Sequence, residues 1–82
     1  MEEKTTYLYD LKELDDKIVE ETLLEVIEIL KDKKYRPINQ LTGYLMSGDP
    51  GYITSYRDAR KKIASIDRSK IIEFLLKKGL MK

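Results

Sequence analysis

Residues 35–53, YRPINQLTGYLMSGDPGYI, alternate helix-forming and chain-breaking residues with little slack. Pro37 suits the first turn of a helix, where its missing amide hydrogen would have no partner anyway. Ile38, Leu41, Leu45 and Tyr44 then recur at helical spacing and are expected to line the buried side. Gly43 removes a side chain inside that helix at a propensity cost of about 1 kcal/mol relative to Ala, which a close crossing by another backbone would offset. Ser47, Gly48, Asp49, Pro50 and Gly51 form the clearest breaker cluster in the chain. Gly48 can adopt the left-handed conformation that closes a helix, and Pro50 keeps the helix from continuing. The stretch therefore predicts a short helix, a stiff corner and the approach to another helix.

Upstream, Val19, Leu23, Val26, Ile27 and Leu30 recur at spacings of three and four. They predict a helix from Asp15 or Asp16, either of which can cap it, to about Lys33. Leu24 and Ile29 widen its apolar face, and Lys31, Lys33 and Lys34 suit its carboxyl end. Downstream, a third helix is expected from about Ser55 to Ile66, with Ser55 and Asp58 as an approximate capping box and Tyr56, Ala59, Ile63 and Ile66 inward. Asp67 can cap a fourth, running to about Lys78, with Ile71, Ile72, Leu75 and Leu76 inward, Phe74 beside them and Gly79 as terminator. Residues 1–15 carry no sustained stripe and read as a flexible amino-terminal arm, which leaves residues 16–82 as a single helical dimerisation domain. The fold class is all-α: a compact bundle of about four helices whose central pair resembles a helix-turn-helix.

With 82 residues, a lone subunit buries only about two-thirds of the surface its unfolded chain exposes. A homodimer is the natural supplement. The chain has no Cys and no His, so disulfides, thiolate chemistry, imidazole bases and the usual zinc sites are excluded. No acidic run has calcium-loop spacing, and no metal or cofactor is expected. The opening residues, MEEKTTYLYD, are acidic and lack the apolar core of a signal peptide. No apolar run approaches membrane-spanning length, so a cytoplasmic protein without membrane insertion is expected. The formal charge is +1, yet it is unevenly spread. Residues 1–16 hold two Lys against six Asp or Glu, a balance of −4, and residues 51–82 hold nine Lys or Arg against three acids, a balance of +6. The two ends can attract each other within a molecule or across a dimer, or each can be a solvated face.

Several chemistries can be weighed residue by residue. Arg57 and Arg60 on a basic third helix suit nucleic-acid phosphates. The long corner and the acidic first residues argue against that partner. Asn39, Gln40 and Asp49 offer polar groups to a pocket, with Asp49 a candidate base. The corner lacks the signature of a phosphate-binding loop, however, and Asn39 and Gln40 are expected to hydrogen-bond locally while Asp49 fixes the turn. Tyr35, Tyr44, Tyr52 and Tyr56 cluster around the central pair and suit core or dimer-seam packing more than ligand contact. Thr5 and Thr6 can either enter a kinase active site, where phosphate would add roughly −1.5 to −2 charges to the arm, or serve as ordinary solubilising residues.

The segments KYRPINQLTGYLMSGDPGYI at 34–53, RDAR at 57–60 and IDRSKIIEFLLKKGL at 66–80 closely resemble the IreB family of small bacterial regulatory proteins. The resemblance implies an all-helical, cytosolic homodimer of Gram-positive bacteria that is not an enzyme. It further implies a negative regulator of cephalosporin resistance, phosphorylated on threonines of its amino-terminal segment by a transmembrane serine/threonine kinase and acting on an unidentified downstream protein. Thr6, directly before Tyr7-Leu8-Tyr9, aligns best with a family acceptor. The family's other acceptor falls near Glu3, which cannot accept phosphate as threonine does, and Thr5 substitutes only in a shifted register. Pro37, Ile38, Asn39, Gln40, Gly43, Tyr44, Ser47, Gly48, Asp49, Pro50, Tyr52, Arg57 and Arg60 carry over as scaffold or partner surface.

Overall fold

No Gly or Pro occurs before Pro37, so nothing in the first 36 residues obliges a helix to stop. In the computed structural model, which describes the backbone of residues 2–81 and the side chains of residues 14–81, α1 spans Glu2–Asp32. It begins well before Asp15 and Asp16, which are interior residues rather than caps. The Glu, Lys and Leu residues upstream are good helix formers, and a helix once nucleated extends through them one hydrogen bond at a time. At its carboxyl end Lys34 takes a left-handed backbone (φ 64). Tyr35 N–H donates to the Leu30 carbonyl at 2.9 Å and Lys34 N–H to that of Lys31 at 2.9 Å. This is the double closure that usually employs glycine.

Three shorter helices follow: α2 (Pro37–Ser47), α3 (Ala59–Ala64) and α4 (Arg68–Gly79). Single 3-10 turns at Pro50–Tyr52 and Tyr56–Asp58 connect α2 to α3. The core gathers Val19, Leu23, Val26, Ile29 and Leu30 of α1, Tyr44 of α2, Ile53 of the connection, Ala59 and Ile63 of α3, and Ile71 and Phe74 of α4. Leu41, Leu45, Tyr56 and Ile66 seal its edges. Among the described residues no polar or charged side chain is buried.

Several expectations are corrected here. Ile27 is half-buried and Leu24 is exposed, because the α1 stripe turns through Ile29 instead. Ile38 is 73% exposed rather than inward, since α2 rests on the core mainly through Tyr44. On α4 only Ile71 and Phe74 are buried, and Ile72, Leu75 and Leu76 face solvent. Lys70 Nζ reaches Asp15 at 3.3 Å and Lys77 Nζ reaches Asp16 at 2.9 Å. Lysines two turns apart on α4 thus meet adjacent acids on α1, which limits the contact to a short crossing and leaves one narrow stripe of α4 covered. Gly79 lies inside α4, which closes at Leu80 without a left-handed glycine. Asp67 holds the N-cap position of α4 but its side chain makes no capping bond. Ser55 and Asp58 make no side-chain cap, and Asp58 itself is left-handed (φ 63).

Candidate functional site

Arg36 precedes proline and is accordingly extended (φ −93, ψ 106), the region that a following pyrrolidine ring favours. Pro37 stands in the first turn of α2, and Gly48 closes that helix left-handed at φ 77, with its N–H donating to the Tyr44 carbonyl at 2.7 Å. Ser47 Oγ donates to the Gly43 carbonyl at 2.7 Å and accepts from Asp49 N–H at 3.0 Å. The Asp49 carboxylate accepts from Gly51 N–H at 2.9 Å, capping the turn that Pro50 opens. Asp49 therefore fixes the corner, as the patterning implies.

Gly43 has a more specific reason to be glycine. A β-carbon built there would overlap Cδ1 of Tyr52 and stand 2.9 Å from Cε1 and 3.0 Å from Cγ. The ring of Tyr52 thus occupies the space vacated on α2, half-exposed on its outer side. The crossing partner is an aromatic ring folded back from the corner, whereas the sequence alone suggests a second backbone.

The connection after the corner must run through the interior without sheet partners for its backbone. Ile53 is extended (φ −107, ψ 134) and fully buried. Its carbonyl accepts from Arg60 Nε at 2.9 Å, and Thr54 N–H donates to Gln40 Oε1 at 3.2 Å. Thr54 also accepts at its carbonyl from Arg60 N–H at 3.1 Å. Gln40 of α2 hence holds Thr54, and Arg60 of α3 holds both Ile53 and Thr54, satisfying polar groups that would be costly to bury bare. Gln40 is not locally engaged by its side chain, and Arg60, though exposed, reaches in to the Ile53 carbonyl. The signal for this was the buried isoleucine beside a linker too short to form its own ladder.

A second grip falls on a residue that the patterning did not single out. Arg68 Nη1 donates to the Leu45 carbonyl at 2.8 Å, and its guanidinium lies over Gly48, 2.8 Å from where a β-carbon would sit. A cation at the carboxyl end of α2 opposes the negative end of the helix dipole. Arg68→Ala is expected to cost about 1 kcal/mol, read as a lower urea midpoint at unchanged slope. An unchanged midpoint would show the contact to be energetically idle.

Arg57 and its neighbours tie α3 to the end of α1. Tyr56 OH donates to Asp32 Oδ2 at 3.2 Å, Arg57 Nη1 lies 3.7 Å from the same oxygen, and Lys33 Nζ stands 4.8 Å over the Tyr56 ring. Arg57 is itself left-handed (φ 52, ψ 31). Asn39 is exposed. Beside it, α2 carries no charged residue, and Ile38 and Met46 are 73% and 83% exposed. Thr5 and Thr6 lie outside the residues whose side chains are described.

These hydrogen bonds act as a clamp on the corner and the connection that follows it. Gln40, Gly43, Tyr44, Ser47, Gly48, Asp49, Pro50, Tyr52 and Arg60 gather at the corner and the connection after it, while Pro37 opens α2 at its far end, Ile38 and Asn39 face out and Arg57 binds elsewhere. A cavity of about 370 Å³ between α1 and the α3–α4 junction is lined by Asp15, Ile18, Val19, Ser65, Ile66, Asp67 and Lys70, and so contains none of the corner residues. Among the described residues no group of three or more acidic side chains is placed to hold a metal ion, and no helix is long and apolar enough to cross a membrane. A family model described as IreB regulatory phosphoprotein matches residues 3–81.

Proposed function

We infer that this chain, which belongs to the IreB family of regulatory phosphoproteins, is a non-enzymatic signalling regulator controlled by phosphorylation of its amino-terminal segment. The match itself carries the reading, since it includes the segment that holds Thr5 and Thr6. Thr6 is the preferred acceptor and Thr5 the secondary one. A membrane-anchored serine/threonine kinase is the writer, acting on a cytoplasmic homodimer, and the output is control of cell-envelope stress or cephalosporin resistance. In this reading residues 1–15 are the modified arm and residues 16–82 the dimerisation domain. The corner serves as scaffold, because its polar groups are already engaged with one another.

The test is incubation of the full chain with the cognate kinase, followed by intact-mass measurement and site mapping. One added phosphate, mapped to Thr6, is expected. No transfer to either threonine under conditions that phosphorylate a control substrate would overturn the reading.

One observation favours a second reading, a binding module indifferent to phosphorylation. An uncharged helix with an outward Ile38 and Met46 stands on a chain in which 38% of residues are charged, and it can engage a partner without help from the arm. Affinity capture with a T5A/T6A variant separates the two. A changed partner set supports the phosphorylation reading, and an unchanged set with an unchanged cellular effect supports the module.

A further inference from the structure

The fold collects positive charge at one end from two segments far apart in the chain. Lys31, Lys33, Lys34 and Arg36 close α1 and lead into α2, while Arg57 and Lys61 flank the start of α3, and all six are exposed. The Tyr56 and Arg57 contacts with Asp32, and Lys33 over the Tyr56 ring, hold the two groups together. Only Asp32 and Asp58 offset them within these segments, and Asp32 is already engaged by Arg57. Glu28, one turn back on α1, is the next acid. The carboxyl end of α1 would accommodate such cations in any case, but Arg57 and Lys61 come from another element and make this a surface.

The complementary charge sits at the opposite end of the same helix. Asp15 and Asp16 are paired with Lys70 and Lys77 of α4, but residues 1–14 before them still hold four acids against two Lys, a balance of −2, and α1 runs unbroken from Glu2 to Asp32. Thr6 and Lys33 are then about 40 Å apart along the axis at 1.5 Å per residue. Charges in physiological salt are screened within roughly 8 Å, so within one intact subunit the two ends do not interact. A second copy lying antiparallel removes that separation, and two-fold symmetry then makes the contact twice.

We propose that the basic end formed by Lys31, Lys33, Lys34, Arg36, Arg57 and Lys61 receives the acidic amino-terminal segment of a second copy of this chain. Phosphate on that segment tightens the contact by adding roughly −1.5 to −2 charges. This regulatory half rests on the proposed phosphorylation of Thr6, whereas the docking itself rests on charge and geometry.

The experiment mixes equal amounts of isotopically heavy and light full-length protein and treats them with a carbodiimide, which joins carboxylates to lysines without a spacer. Links between Glu2, Glu3, Asp10 or Glu13 of one isotopic copy and Lys31, Lys33, Lys34 or Lys61 of the other are expected. They should diminish with salt and rise about tenfold after kinase treatment, the effect of two added charges at exposed sites. Lys34→Glu with Lys61→Glu should remove links at positions 34 and 61 and weaken the rest, and Glu2→Lys with Glu3→Lys in the partner should restore links between positions 2 or 3 and 34 or 61 with amine and carboxylate exchanged. Circular dichroism of each variant shows that the fold is kept. Links confined to single copies, links insensitive to the charge reversals, or their displacement by duplex DNA at equal charge concentration would overturn the proposal. The intact mass, read before cross-linking, reports separately whether phosphate was added, so a failed kinase reaction is distinguished from a failed contact.

Discussion

Replacing Ile53 with alanine is expected to lower the unfolding free energy by about 2–5 kcal/mol. In a domain whose whole stability is of the order of 5–15 kcal/mol, that is a large share. Ile53 is fully buried in the short extended stretch between two 3-10 turns. Its side chain and the two hydrogen bonds beside it act on the same short segment, so a cavity there also loosens the grip of Gln40 and Arg60. For a chain of this length each kcal/mol lowers Tm by roughly 4–8 °C. Ile38→Ala is the internal control: the same chemical change at a 73% exposed position should stay within about 0.5 kcal/mol. Urea melts of the two variants decide the matter, and equal midpoints would show that the corner is not part of the cooperative core.

That contrast between two isoleucines fifteen positions apart marks how far the fold is legible in the chain. Pro37 and Gly48 announce both ends of α2 because each acts on its own backbone, and the structure places them where that chemistry requires. The α1 stripe is largely legible for the same kind of reason, as Val19, Leu23, Val26 and Leu30 repeat one local period and are all buried, Ile27 alone giving way to Ile29. What escapes is whatever depends on the partner. Ile72, Leu75 and Leu76 have the right spacing for burial, yet only Ile71 and Phe74 of α4 are buried, because crossing geometry decides which stripe is covered. The upstream limit of α1 is illegible because its first turns lack any breaker, and periodicity alone cannot say where propagation halts. Gln40, Arg60 and Arg68 find backbone groups 14, 7 and 23 residues away. A polar side chain in a sequence carries no record of which distant carbonyl or amide will need it. The corner could thus be located from sequence, while the clamp that fixes it could not.

Thr6→Ala is expected to abolish most phosphate transfer by the cognate kinase, Thr5→Ala to leave it nearly intact, and the double variant to accept none. The expectation belongs to the proposed reading, and its physical basis is the position of these residues on α1. A kinase takes its acceptor as extended chain, so a threonine within a helix must first be unwound. The opening turn of any helix has amides without intrahelical partners and opens at far lower free energy than the interior. On α1 the first core residue among those described is Val19, and the first ion pairs to α4 are made by Asp15 and Asp16. Unwinding as far as Tyr9 leaves these described contacts in place, so the core from Val19 onward persists while Thr6 is presented. Thr5 is exposed by the same opening, so opening cannot discriminate between them, and the choice falls to the aromatic segment Tyr7-Leu8-Tyr9 that directly follows Thr6. Intact mass with peptide mapping reads the result for all three variants at matched kinase and time. Full transfer to Thr6→Ala, with none to Thr5→Ala, would move the acceptor one position and show that register is set from upstream of the threonines rather than by the aromatic residues after them.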